Sequence, residues 1–368
     1  MRVMKNPGGL AAGAVIRTAN GLTAPYNGRI PKNMPSFSRS LSITLAAFLT
    51  VAGLRADNTA GDYVDGEDPE VRQAALAALG EHHGSIVVAD AKTGRLLTMV
   101  NQKLALADGA IPCSTIKLMV GVAALSEGLI GPKEKVYFPG GWFMTLTEGL
   151  TISNNVIFDY LGEKLGFERF RRYARLFGLG ERAGYRIPGE QVGAFPEREH
   201  SYGVGRMTSF GSGIGMTPLQ LAAFTAALAN GGKLYYLQHP SSREQAAQLE
   251  PRLKRELPIA GLLPEIEQGM AQAVARGTGR NARLPGRQVH GKTGTCSYFQ
   301  ARRKHRMGWF ASFVRDLGGR DLSVVVMLQS GFVHGPLAAE IAGEFYRNLS
   351  RVEYSSLNES AVTACDCE

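Results

Sequence analysis

The apolar and polar positions change period along the chain. GSIVVAD (84–90) and GRLLTMV (94–100) are short β-rich runs joined by Ala91-Lys92-Thr93, and they predict a hairpin. The spacing then becomes helical. Residues from Ser114 to about Ser126 predict a helix that stops near Gly128, after a helical stretch PEVRQAALAALG further upstream. Asn155–Gly178 predicts one long helix with Ile157, Leu161 and Leu165 on a shared face. Thr217-Pro218 is a strong helix start, because threonine can cap and proline belongs in the first turn. That helix runs through LQLAAFTAALAN to Gly231-Gly232, and another covers about 262–276. Three strand-like runs follow, QVHGKTGTC (288–296), MGWFASFV (307–314) and LSVVVML (322–328), then a last helix over about 336–349.

Strands joined by short turns imply an antiparallel sheet. Helices before, between and after them imply an α+β fold in which helices flank that sheet. No internal stretch of 80–350 reads as a linker, so one core is expected.

Charge changes this picture only at the N-terminus. The formal charge is +9, but seven of the 41 basic residues and none of the 32 acidic ones fall in residues 1–56. The remainder is therefore close to neutral, which argues against nucleic-acid binding. Residues 1–56 read as a leader, with the apolar run Leu41–Leu54 behind Arg39 and a small-residue site at Leu54-Arg55-Ala56. A membrane span needs roughly 20 apolar residues, so a signal peptide is preferred to an anchor, with Met34 its expected first residue. Residues 57–81 read as a linker and helix, 82–350 as the folded domain, and 351–368, with Cys365 and Cys367, as a disordered tail. No histidine or cysteine spacing suits a metal, and no cofactor is expected.

The candidate chemistry begins at IPCSTIKLMV (111–120). Ser114 and Lys117 are three residues apart at a helix start and share a face. A lysine among Ile116, Leu118 and Val120 resists charging, so its pKa falls and it can take the proton of a serine nucleophile. The helix start adds N–H groups that favour an oxyanion. Alone, such a pair is only a capping serine and a surface lysine. Two further motifs give it company. Ser153-Asn154-Asn155 opens another helix, and Lys292-Thr293-Gly294-Thr295 lies in a strand-like run.

In this order the motifs resemble those of the penicillin-binding transpeptidases and serine β-lactamases. The resemblance covers about 82–350 and is nearest to penicillin-binding protein transpeptidase domains. GLGERAGYRIPGEQVGAFP (178–196), SFGSGIGMTPLQLAAFTAALANGG (209–232) and GMAQAVARGTGR (269–280) add to it. It implies a transpeptidase-like fold with an all-helical insert. Ser114 would be the acylated nucleophile and Lys117 its base. Ser153 would pass the proton to the leaving amine, and Asn155 would bond the substrate amide. Lys292 would supply positive charge, Thr293 and Thr295 would hold the substrate carboxylate, and Gly294 would leave room along the strand. The N–H groups of Ser114 and Thr295 would form the oxyanion hole. Some carbapenem-hydrolysing class A β-lactamases carry a disulfide at positions matching Cys113 and Cys296. The resemblance therefore implies that pair, the alternative being two small buried thiols.

The implied activity is that of a D,D-transpeptidase or D,D-carboxypeptidase. Its partners are peptidoglycan stem peptides and β-lactams, outside the cytoplasmic membrane, with membrane contact only through an uncleaved leader. A β-lactamase is the alternative, with Glu190 as the candidate deacylation base; Asn155 argues against the class D type. A β-lactam sensor domain is a third reading. Only residues 57–83 separate the leader from the first strand, so a free-standing transpeptidase domain is expected.

Overall fold

The computed structural model describes residues 59, 61–300, 303–329 and 331–365. The leader and the last three residues lie outside the described residues. Among those described, no helix is long and apolar enough to cross a membrane.

A five-stranded antiparallel sheet forms the centre, from β1 (Gly84–Asp90), β2 (Leu96–Val100), β3 (Val289–Gln300), β4 (Arg303–Leu317) and β5 (Arg320–Gln329). Its order is β2-β1-β5-β4-β3, so the chain's first hairpin joins its last two strands and β3 is left at an edge. Neighbouring residues point to opposite faces of a strand, and both faces of this sheet are covered. On one face Val325, Met327, Trp309 and Phe313 join the large helical core. On the other, Val324, Val326 and Phe310 pack with Phe345 and Tyr346. That is why LSVVVML is apolar without alternation. The second face is covered by α1 (Pro69–Leu79) and the C-terminal helix.

Two helices are apolar all round, which places them inside the protein. In α2 (Ile116–Ser126) every residue from Ile116 to Leu125 is buried, Lys117 included. In α7 (Pro218–Ala229) all residues are buried, and Thr217 with Gln220 closes the expected N-terminus as a capping box. Between them lie α3 (Leu146–Thr151), α4 (Asn155–Leu165), α5 (Phe167–Leu176) and α6 (Gly203–Phe210), the all-helical insert. After α7 comes α8 (Leu263–Ala275), and the chain ends in α9 (Gly335–Cys365).

Three expectations need correction. The single helix over 155–178 is two helices, because Gly166 at φ 71° ends α4 and starts α5. Its left-handed backbone suits a residue with no Cβ. The last helix does not stop near 349 but continues to Cys365; no glycine or proline interrupts 350–365. Residues 351–365 are thus helical rather than disordered. The segment before the first strand holds α1 and is anchored to the sheet. Glu67 is buried, and its carboxylate accepts from Thr98 Oγ1 (2.6 Å), Arg72 Nη1 (2.8 Å) and Met99 N (2.9 Å), which fastens the segment to β2.

Candidate active site

Ser114 stands in a 3₁₀ turn, Cys113–Thr115, that runs directly into α2. Cys113 has φ 52°, a left-handed conformation uncommon for a residue with a Cβ. The turn is held from two sides. Trp309 Nε1 on β4 donates to Ile111 O at 3.0 Å. Gly294 on β3 lies opposite Trp309 in the register. A Cβ on Gly294 would come within 3.0 Å of Pro112 O, 3.1 Å of Thr115 Cγ2 and 3.2 Å of Trp309 Cβ. The glycine therefore lets β3 approach the turn that carries Ser114. The sulfurs of Cys113 and Cys296 are 1.93 Å apart, with Cα atoms 5.5 Å apart, so a disulfide joins the turn to β3.

Lys117 lies one turn into the site from Ser114, fully buried. Its Nζ donates to Asn155 Oδ1 (2.6 Å) and Ser153 O (2.8 Å) and reaches Ser153 Oγ at 3.4 Å. The Phe158 ring lies 5.5 Å from the same nitrogen. Burial brings the amine down to about 7. Ser153 adopts φ 56°, so both residues that shape the site by strain, Cys113 and Ser153, are non-glycine residues in the left-handed region. Asn154 caps α4 by accepting from Val156 N and Ile157 N, which frees Asn155 to point at the lysine.

Lys292 arrives from β3, also fully buried, and donates to Ser153 Oγ (2.7 Å) and Thr293 O (3.0 Å). Burial first, and the charge of Lys117 second, hold it well below the ordinary lysine value. Two ammonium groups reaching one hydroxyl would repel each other, so charging both is disfavoured.

Thr293 and Thr295 project to the other face of β3. Thr293 Oγ1 lies 2.6 Å from Thr278 Oγ1, and Thr295 Oγ1 accepts from Gly335 N at 2.8 Å. As an edge strand, β3 leaves one row of its backbone groups without a neighbouring strand, as oxyanion donors require. Thr278 and Gly335 were not singled out from sequence. The only hint was the GTG of GMAQAVARGTGR.

Glu190 does not join this cluster. Its buried carboxylate accepts from Ala183 N (2.7 Å) and Gly184 N (2.9 and 3.1 Å), closing the turn that contains Pro188 and Gly189. Burial raises its pKa against the pull of those N–H groups.

A serine at a helix start, two buried lysines converging on a second serine and a glycine-bearing edge strand define a lysine-assisted serine site on an α+β fold. The model of the penicillin binding protein transpeptidase domain matches residues 84–348, and the chain belongs to that family. Stage V sporulation protein D of Bacillus subtilis is 30% identical over 267 residues, covering 64% of this chain and 41% of that protein. Peptidoglycan D,D-transpeptidase FtsI of Escherichia coli is 28% identical over 253 residues, covering 60% and 42%. The chain thus spans about two fifths of these curated relatives. The transpeptidase domain of Burkholderia pseudomallei penicillin-binding protein 3 superposes with a TM-score of 0.65 at 20% identity, covering 77% of this chain and 93% of that one. That likeness is one of fold.

Proposed function

We propose that the protein is a serine D,D-transpeptidase or D,D-carboxypeptidase acting on D-Ala-D-Ala stem peptides of peptidoglycan. The observation that carries this is the meeting of Lys117 and Lys292 at Ser153 Oγ, with Lys117 one helical turn along from Ser114. Lys117, poised near neutrality, takes the Ser114 proton as Oγ attacks the penultimate D-Ala carbonyl. The C–O bond forms and the C–N bond breaks. The leaving D-Ala amine collects a proton through Ser153 Oγ, which Lys117 and Lys292 both reach. Asn155 presents its amide N–H to the substrate backbone while its oxygen holds Lys117. Lys292, Thr293 and Thr295 face the terminal carboxylate, and the Ser114 and Thr295 N–H groups take the oxyanion. An amine or water then cleaves the acyl-Ser114 ester. β-Lactams enter by the same attack and remain as the acyl-enzyme. The domain works outside the cytoplasmic membrane, delivered there by the leader.

The test is the lifetime of the acyl-enzyme. A fluorescent penicillin should give a labelled band that persists for hours and is absent in Ser114→Ala. Rapid release of hydrolysed drug without a lasting band would make the protein a β-lactamase. No labelling and no turnover would overturn the catalytic reading.

A further inference from the structure

Thr293 and Thr295 are two residues apart on β3 and so share a face. A hydroxyl has one proton to give and two lone pairs. At Thr295 the Gly335 N–H already fills a lone pair at 2.8 Å, which leaves the hydroxyl proton free to turn away from the protein. Gly335 has to be glycine for this approach, since a Cβ there would lie 2.8 Å from Thr293 Cβ. Thr293 receives its partner from a side chain instead, Thr278 Oγ1 at 2.6 Å, and either oxygen can be the donor. An ionised carboxylate removes that ambiguity because it only accepts. Thr293 must then donate outward, and Thr278 must donate to Thr293.

Thr278 is held in place for this. Its N–H donates to Thr151 O at 3.3 Å. A Cβ on the preceding Gly277 would fall 2.1 Å from that same oxygen, so the chain can pass here only as glycine. Thr151 lies two residues before Ser153. The Gly277–Gly279 turn therefore connects the serine-asparagine turn to the edge strand, behind the place where a substrate carboxylate would sit.

We propose that Thr278 is a positioning residue for the substrate carboxylate. Its hydroxyl donates to Thr293 Oγ1, so that Thr293 offers its proton only outward, as Gly335 N–H makes Thr295 do. Each bond in the series Thr278, Thr293, carboxylate polarises the next. This inference rests on the reading that the site takes a terminal D-Ala carboxylate.

The experiment compares acylation rate constants of the full chain with a fluorescent penicillin and with its methyl ester, which lacks the anionic carboxylate. Thr278→Val should slow labelling by the free acid about tenfold, the scale of one hydrogen bond in a charged series. It should leave the slower ester reaction unchanged. Thr278→Ser should restore the free-acid rate. Equal slowing of both probes by Thr278→Val, an unchanged free-acid rate, or failure of serine to restore it would overturn the proposal. If the wild-type chain is labelled by neither probe, the acyl-serine reading itself falls and this inference falls with it.

Discussion

Lys117 and Lys292 come from opposite ends of the domain, 175 positions apart by their numbers, and reach one oxygen, Ser153 Oγ, at 3.4 and 2.7 Å. The hydroxyl can pass a proton between them, and among the described residues neither lysine has a carboxylate to hold its charge. The proposed mechanism needs Lys117 neutral. With the amine brought to about 7, the protonated form dominates below that pH and cannot accept the Ser114 proton. The acylation rate constant should therefore rise as pH increases through about 7, by about tenfold per unit on the acid side. A rate flat from pH 5 to 9 would show that Lys117 is not the base.

Ser153→Ala removes the shared hydroxyl and leaves both lysine amines facing an apolar methyl. Acylation should fall by about 10²–10⁴, the range for loss of a positioned proton-transfer group. The melting temperature should change much less, because the substitution opens no cavity in the core. Stopped-flow labelling alongside a thermal melt separates the two effects.

The Cys113–Cys296 disulfide closes a separation of 183 residues. Chain-entropy reasoning puts such a link near the upper end of the usual range, so Cys296→Ala should cost about 2–5 kcal/mol. It also ties the residue before Ser114 to the strand that carries Lys292. Loss of the link should therefore slow acylation even where the protein remains folded. Peptide mapping without reductant, then melting and labelling with and without a phosphine, would check both statements. Two free thiols in the oxidised sample would overturn them.

What could be read from sequence divides by range. Strands β1, β2 and β5 were legible because their apolar runs are bounded by turn residues, and α7 because Thr217-Pro218 marks its start. Ser114, Lys117, Ser153 and Lys292 were legible as motifs, though the meeting of the lysines on one hydroxyl was not, since only the sheet order brings β3 beside α2. The break at Gly166 was hidden because Phe170 and Ala174 are buried after it just as Leu161 and Leu165 are before it. The left-handed backbone of Ser153 has no local signal in a serine. Thr278 was invisible because its meaning depends on two distant partners, Thr151 and Thr293. The close approach of Gly294 to Pro112 and Thr115 was not legible, because those residues lie far away in sequence.

Glu190 gives a prediction that separates stability from function. Its carboxylate satisfies the N–H groups of Ala183 and Gly184. Glu190→Ala strands those donors, and should cost about 1–3 kcal/mol. The acyl-enzyme lifetime should not change, because no bond from Glu190 leads to the serine-lysine cluster. A longer-lived acyl-enzyme in Glu190→Ala would restore it as a deacylation base.

Gly277 offers the sharpest steric test. A Cβ there would meet Thr151 O at 2.1 Å, Ala273 Cα at 2.8 Å and Ala273 O at 3.0 Å. All three are backbone atoms of α3 and α8 and cannot rotate aside. Gly277→Ala must therefore push the turn away from Thr151, at about 1–3 kcal/mol of overpacking. The displaced turn carries Thr278 away from Thr293, so the free-acid penicillin should lose rate beyond what the drop in stability explains. Gly286 is the control: a Cβ there meets nothing within 4 Å. Gly286→Ala should lower the melting temperature slightly through its φ of 72° and leave labelling intact. Equal labelling rates in the two variants would mean that the Gly277–Gly279 turn does not set the geometry of the site.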